Sequence, residues 1–157
     1  MKKYLDGLSQ SELVKEVEKL VSRFKNVQEY YFAELGGDTT QLVGEYKKKL
    51  EKAFAMKNMT VTPNMAETNK IIKEFTKISV HVADVIDLMI YKAELCVDLF
   101  ENWGHDHFTS VVNSFSTTYG HVIQLIRKNG LEDYFRARCK KIEGYALNYY
   151  LINDTLE

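Results

Sequence analysis

Apolar residues recur every three to four positions along most of this 157-residue chain, which is the spacing of amphipathic helices. Ser9 and Glu12 form a capping box, in which each side chain satisfies a backbone N–H of the other, so the first helix is predicted to begin there. The pattern continues, with a bend that divides it into two helices, until Gly36 and Gly37 end it. Its apolar positions are Leu13, Val17, Leu20, Val21, Phe24, Val27, Tyr30, Tyr31 and Leu35.

Five further helices are predicted after Gly37 by the same spacing. Asp38, Ser79 and Asp106 are expected to cap three of them, because a short acceptor side chain before an apolar run commonly starts a helix. Glycines that favour the conformation of a helix end are expected to stop three of them: Gly104, Gly130 and Gly144.

The longest predicted loop comprises residues 55–62. Two starts fit the helix that follows. Thr62 followed by Pro63 reads as a cap with proline in the first turn. Asn64 with Glu67 reads as a capping box two residues later.

The fold class that follows is all-α, with about seven helices and a single proline in the whole chain. Short loops imply antiparallel helix pairs within one domain spanning residues 1–157. Two architectures fit: a compact helical bundle, or a short α-solenoid-like stack of pairs, which the very short turns between the last three helices favour. The aromatic tail, residues 145–157, has no firm period, and no conformation is predicted for it.

The charge balance narrows the choice of partner. The net charge is −1, whereas nucleic-acid-binding domains are usually basic, so no nucleic acid is expected. Residues 107–126 carry no formal charge over a length that could span a bilayer, but more than half of them are polar, glycine or tyrosine, and no membrane partner is expected. No apolar segment follows Lys2 and Lys3, so no secretory signal is visible and a cytoplasmic location is expected.

Known catalytic motifs are missing from the sequence. It contains no Gly-x-Ser-x-Gly, no Cys-x-x-Cys and no phosphate-binding loop, and it lacks the Glu-x-x-His motif of di-iron bundles. The sequence therefore favours a protein without catalytic activity and without a cofactor.

One loop keeps a metal-dependent alternative open. His105, Asp106 and His107 place two imidazoles and a carboxylate within three residues, a set that can bind zinc, iron or manganese. His81 or His121 could complete such a site if folding brings either one near. The favoured interpretation is simpler: Asp106 caps a helix and the two histidines are solvated.

The fifth predicted helix carries an acidic face opposite its apolar side. Residues 79–106 contain six acidic residues and one lysine, whereas residues 44–57 and 127–143 are each basic by three charges. Such a face is usually solvated, but it could instead receive a basic partner or pair between subunits. Its members are Asp84, Asp87, Glu94, Asp98 and Glu101.

The sixth predicted helix has a polar face without formal charge. Exposed helix faces usually carry Lys and Glu, so short polar side chains here indicate contact on this side as well. We expect a polar stripe shielded from solvent by another helix or by a partner, and a candidate binding surface: Ser110, Asn113, Thr117, His121 and Gln124.

Four segments resemble a family of small, uncharacterised bacterial proteins, a domain of unknown function. They are Leu8-Ser9 with Glu12-Leu13, Tyr46-Lys47-Lys48-Lys49-Leu50 with Phe54, Asn129-Gly130-Leu131 with Phe135, and Asn153-Asp154-Thr155-Leu156. The resemblance covers nearly the whole chain. It implies a bacterial cytoplasmic protein and carries no catalytic residues over to this sequence.

The leading functional hypothesis is a helical scaffold or protein-interaction module that binds a protein or peptide. Self-association is one form that this binding could take. Its basis is the lack of catalytic motifs together with ordered charged and uncharged helix faces. The alternative is a small metal-binding protein or metal-dependent hydrolase that uses the histidine loop.

Overall fold

A computed structural model describes residues 1–55 and 62–156, and these residues form helices without any β-strand. Most of the predicted loop 55–62 lies outside the described residues. The helices are α1 (Lys2–Leu5), α2 (Gln10–Arg23), α3 (Lys25–Glu34), α4 (Thr40–Phe54), α5 (Met65–Ile78), α6 (Val82–Trp103), α7 (Thr109–Asn129) and α8 (Glu132–Ala146), followed by a 3₁₀ turn at Leu147–Tyr149.

Local sequence signals set several of these boundaries as predicted. The Ser9–Glu12 capping box is present at the start of α2, and the predicted bend is a break at Phe24, whose extended backbone separates α2 from α3. Asn64 caps α5 by accepting the Glu67 N–H at 3.0 Å, so the later of the two predicted starts is the one adopted. Gly130 ends α7 in the left-handed conformation that glycine adopts without strain.

Three of the predicted boundaries are wrong. Ser79 ends α5 rather than capping α6, because its N–H bonds to the Phe75 carbonyl and α6 begins three residues later. Asp106 makes no cap bond, since its carboxylate lies against His105, and α7 begins after Phe108. Gly144 does not stop α8, which continues to Ala146.

The helices from α3 onward stack in the order of the chain. The main packing partners of each are the next helix or the next but one, so α3, α5 and α7 follow one another in one layer and α4, α6 and α8 in a second. An ion pair, Lys47–Asp87, and a hydrogen bond, Tyr91–Glu51, each join residues of α4 and α6 that are 40 positions apart. Because the sequence separation is the same in both contacts, the two helices run parallel. This succession is that of a short α-solenoid-like stack.

The core is densest around α6, which packs on α4, α5, α7 and α8. Its innermost positions include Ile86, Ile90 and Cys96, which are fully buried. None of the helices within residues 1–55 and 62–156 combines the length and apolar content that crossing a bilayer requires.

The tail is folded onto the last two helices. Leu151, Ile152 and Leu156 are buried, and the Leu156 N–H donates to Glu143 Oε1 at 2.8 Å. Arg127 of α7 donates to the Asp154 carboxylate at 3.1 Å and to the Thr155 carbonyl at 2.7 Å. The polar segment near the end of the chain is therefore a clasp that closes this end of the stack.

Candidate functional site

The first three helices carry most of the exposed apolar surface. Eleven of the seventeen large apolar side chains exposed in the described residues lie within residues 1–35, and α2 has no buried residue at all. Three of its apolar side chains and that of Phe24, the residue directly after the helix, are between 37% and 50% exposed and follow one another at steps of four, three and four. We call them the α2 apolar face: Leu13, Val17, Leu20 and Phe24.

The steps along the α2 apolar face are those of the seam of a coiled coil. Glu16 and Arg23 are seven residues apart and therefore lie along one edge of this face. The helix as a whole carries three acidic and three basic residues, so its charged surface is balanced. A face of this kind fits another helix, whereas helices that lie on anionic membranes carry a strongly basic side.

The acidic face is partly neutralised by the chain itself. Arg138 of α8 donates two hydrogen bonds to Glu94, at 2.8 and 2.7 Å, and a third to Asp87. Lys47 of α4 lies 2.7 Å from the other oxygen of Asp87. Both basic stretches of the sequence thus supply a partner to this face, and pairing within the chain accounts for its centre.

The remaining acidic positions have different surroundings. Asp98 and Glu101 are exposed near the end of α6. Asp84 is half-buried, and no described residue donates to its buried Oδ2 atom. Asp84 is one of the residues that line a cavity of about 330 Å³ between α4 and α6, and Lys47 and Asp87 also line it.

The polar stripe on α7 is not covered by this chain. All five of its side chains are exposed among the described residues, so no described helix shields them. The expectation of shielding by another helix is wrong because α7 lies at the edge of its layer, where its main packing partners among the described helices are α5, α6 and α8. Shielding by a partner, and binding at this stripe, remain predictions.

Lys92 is a buried charge that the sequence analysis did not single out. The side chain is 1% exposed, and its ammonium donates to Asn69 Oδ1 at 2.6 Å and to Ser114 Oγ and Thr118 Oγ1, each at 2.9 Å. We call these three acceptors the Lys92 cage: Asn69, Ser114 and Thr118. None is a carboxylate, and burial lowers the pKa of Lys92 below its usual range.

The sequence does contain a sign of this burial. Lys92 lies three residues after Met89 and four before Cys96, on the apolar side of α6, and it is the one Lys or Arg of residues 79–106. Short polar residues on the neighbouring helix, Ser114 and Thr118, are spaced one turn apart and meet it. This contact explains part of the uncharged surface of α7.

A second buried polar contact joins α7 to α8. Tyr119 is fully buried and donates to Glu143 Oε1 at 2.7 Å, the same oxygen that accepts the Leu156 N–H. Burial, and then this hydrogen bond, raises the pKa of Tyr119. Glu143 therefore links two helices and the tail through one oxygen.

The histidine loop does not assemble a metal site within the described residues. His105 Nε2 lies 3.1 Å from Asp106 Oδ1, but no cluster of three or more His, Cys, Asp or Glu side chains suited to a metal ion occurs there or elsewhere in residues 1–55 and 62–156. His107 is exposed, as are His81 and His121. Instead of metal ligands, His105 contacts aromatic rings from α6 and from the end of the chain.

Comparison with known proteins supplies a family but no activity. No curated protein and no solved structure matches the chain. Residues 1–155 match a family whose description is that of a family of unknown function (DUF6155). The all-helical chain therefore belongs to this family of unknown function.

Proposed function

We propose that this protein is a non-enzymatic helical scaffold that binds another helix along the α2 apolar face. The observation that carries the proposal is the combination of coiled-coil spacing with the lack of any buried residue on α2. An amphipathic helix of 14 residues is only marginally stable in water, because most helical stability comes from packing of the apolar face. A partner on this face would supply that packing.

The partner that fits best is a second copy of the chain, running antiparallel. In that arrangement Leu13 meets Phe24 of the second copy and Val17 meets Leu20 of the second copy. Glu16 then lies beside Arg23 of the second copy, and the two-fold axis repeats this pair. Because both edge charges are matched by self-pairing, no other protein needs to be invoked.

Other apolar side chains of the first 35 residues are exposed as well. Stable interfaces bury roughly 800 Å² on each partner, more than the face of one short helix. Tyr4 and Leu5 of α1, Phe32 of α3 and Leu35 beyond it are all exposed and supply further apolar area. This part of the chain thus exposes more apolar area than α2 alone, and exposed apolar area is typical of interaction sites.

The other predicted surfaces are kept as parts of the proposal. The polar stripe on α7 and the exposed acids Asp98 and Glu101 are secondary contacts for a protein or peptide. Bacterial origin and a cytoplasmic location also remain predictions. Metal-dependent chemistry at the histidine loop has no observation in its favour and is not proposed.

Light scattering coupled to size-exclusion chromatography tests the proposal. The wild type is expected to be a dimer at about 100 μM, and Leu20→Glu is expected to be a monomer, because a carboxylate at the centre of the seam would be desolvated. Leu147→Glu is the matched control, since Leu147 is 49% exposed but lies outside the α2 apolar face, and it should remain dimeric.

Charge exchange tests the antiparallel orientation. Glu16→Arg should weaken the dimer by placing like charges together, and Glu16→Arg combined with Arg23→Glu should restore it. Circular dichroism of every variant verifies that the fold is kept. A wild type that stays monomeric at this concentration would overturn self-association, and a dimer insensitive to Leu20→Glu would place the interface elsewhere.

A further inference from the structure

Four aromatic rings meet where α6, the following loop and the end of the chain come together. Phe100 lies 6.5 Å from His105 and 6.4 Å from Tyr145, measured between ring centroids. Tyr149 lies 4.8 Å from His105 and 4.9 Å from Tyr145. Each ring thus contacts two others in a closed circuit, which we call the four-ring pocket.

The four-ring pocket is open to solvent on one side. It lines a cavity of about 500 Å³ together with Glu101, Gly104 and Asp106. Phe100 is 1% exposed and forms the floor, whereas Tyr149 is 47% exposed and stands at the rim. The rings that a ligand could reach are therefore those of Tyr149, which is exposed, and of His105 and Tyr145, which are half-buried.

With His105 neutral, the formal charges in the lining of the four-ring pocket are negative; His105 Nε2 itself lies 3.1 Å from Asp106 Oδ1. Two carboxylates, Glu101 and Asp106, belong to its lining, and no Lys or Arg does. Burial raises the pKa of Tyr145, and the neighbouring Tyr149 and the two carboxylates raise it further. The two carboxylates place the phenol at the wall of the pocket in a negative potential, which repels anions and attracts cations.

We propose that the four-ring pocket binds an organic ammonium group, either free or on a side chain. The faces of aromatic rings attract cations, and quaternary ammonium groups are the ligands that such ring clusters recognise best. The carboxylates at the rim add attraction without fixing a small metal ion, because they do not converge with a third ligand among the described residues. This site is independent of the α2 apolar face.

Titration with choline, followed by NMR of the tyrosine ring protons, tests the proposal. Choline should shift the Tyr145 and Tyr149 ring signals in a saturable way, with a dissociation constant on the order of 1 mM. Its neutral analogue 3,3-dimethylbutan-1-ol has the same shape without the charge and should bind at least about fivefold more weakly. N-acetyl-trimethyllysine amide, added in parallel, distinguishes a side-chain ligand from a free one by which compound binds more tightly.

Two substitutions locate the binding. Tyr149→Leu should weaken choline binding by about fivefold or more, and Glu101→Gln by a smaller factor. Tyr150→Leu is the matched control, since Tyr150 is 92% exposed and does not line the pocket, and it should bind choline like the wild type. If Tyr149→Leu does not fold, the choline affinity of Glu101→Gln and the comparison with the neutral analogue still test the proposal. Choline that shifts no ring signal at about 20 mM, or that binds no better than its analogue, would overturn the proposal.

Discussion

Ser114→Ala removes one hydroxyl oxygen from the Lys92 cage, and its effect on the free energy of unfolding measures how strongly this uncharged acceptor holds the buried ammonium. The ammonium has three N–H groups and three acceptors, of which Ser114 Oγ is one at 2.9 Å. Ser114→Ala leaves one N–H without an acceptor at a position where Lys92 is 1% exposed. Hydrogen bonds to charged groups contribute about 1.5–3 kcal/mol, so the free energy of unfolding should fall by about that amount.

Ser114→Ala should leave the free energy of unfolding almost unchanged when Lys92 has been replaced by an uncharged residue. In a Lys92→Met background no ammonium remains to lose a bond, and alanine is the better helix former by up to about 0.5 kcal/mol. The double-mutant cycle should therefore give a coupling energy of about 1.5–3 kcal/mol between Lys92 and Ser114.

Denaturant unfolding at pH 7, followed by circular dichroism, supplies the four free energies. Ser116→Ala is the matched control, since Ser116 lies on the same helix, is also half-buried and makes no described bond to Lys92. A coupling energy below about 0.5 kcal/mol, within ordinary additivity error, would refute the reasoning. If Lys92→Met does not fold, equal losses for Ser114→Ala and Ser116→Ala would refute it as well.

Three further predictions follow from the same structure. Because the folded pKa of Lys92 lies below 10.5, the unfolded chain binds more protons than the folded chain as the pH rises toward 10.5. The unfolding free energy of the wild type should therefore rise relative to that of Lys92→Met as the pH approaches 10.5, by at most about 1.4 kcal/mol per pH unit; a difference that stays constant up to pH 10.5 would contradict the lowered pKa. Gly44→Ala should raise the unfolding free energy by about 0.5–1 kcal/mol, since Gly44 lies within α4 with open space around it, whereas Gly130→Ala should lower it by about 1–2 kcal/mol because Gly130 has a left-handed backbone. Thermal unfolding of the two variants tests this, and equal changes in their unfolding temperatures would contradict it. Arg127→Met should speed hydrogen exchange at the Leu156 amide by about tenfold, because the tail loses both of the hydrogen bonds that Arg127 donates to it. An unchanged exchange rate would show that the bond to Glu143 alone holds the Leu156 amide.

Local signals predicted the helices well because they act within a few residues. The Ser9–Glu12 capping box and the glycine at 130 each satisfy backbone groups of their own helix, so neither depends on the rest of the fold. Ser79 and Asp106 failed as caps because competing bonds, to the end of the preceding helix and to a neighbouring histidine, engage them first.

Contacts between distant segments could not be predicted in the same way. The position of Lys92 on the apolar side of α6 is visible in the sequence, but its acceptors come from α5 and α7. The four-ring pocket likewise joins residues 100–106 to the end of the chain. Periodicity also identified the apolar positions of α2 without telling whether this chain or another one covers them.

The two ends of the stack differ, and this difference limits how the protein can assemble. At one end the tail folds over α7 and α8, and at the other α2 presents an uncovered seam. A chain with complementary surfaces at both ends would join head to tail and grow into a filament. Because the tail covers one end, the joining proposed for α2 would be isologous: two α2 apolar faces would cover each other, and assembly would stop at two subunits.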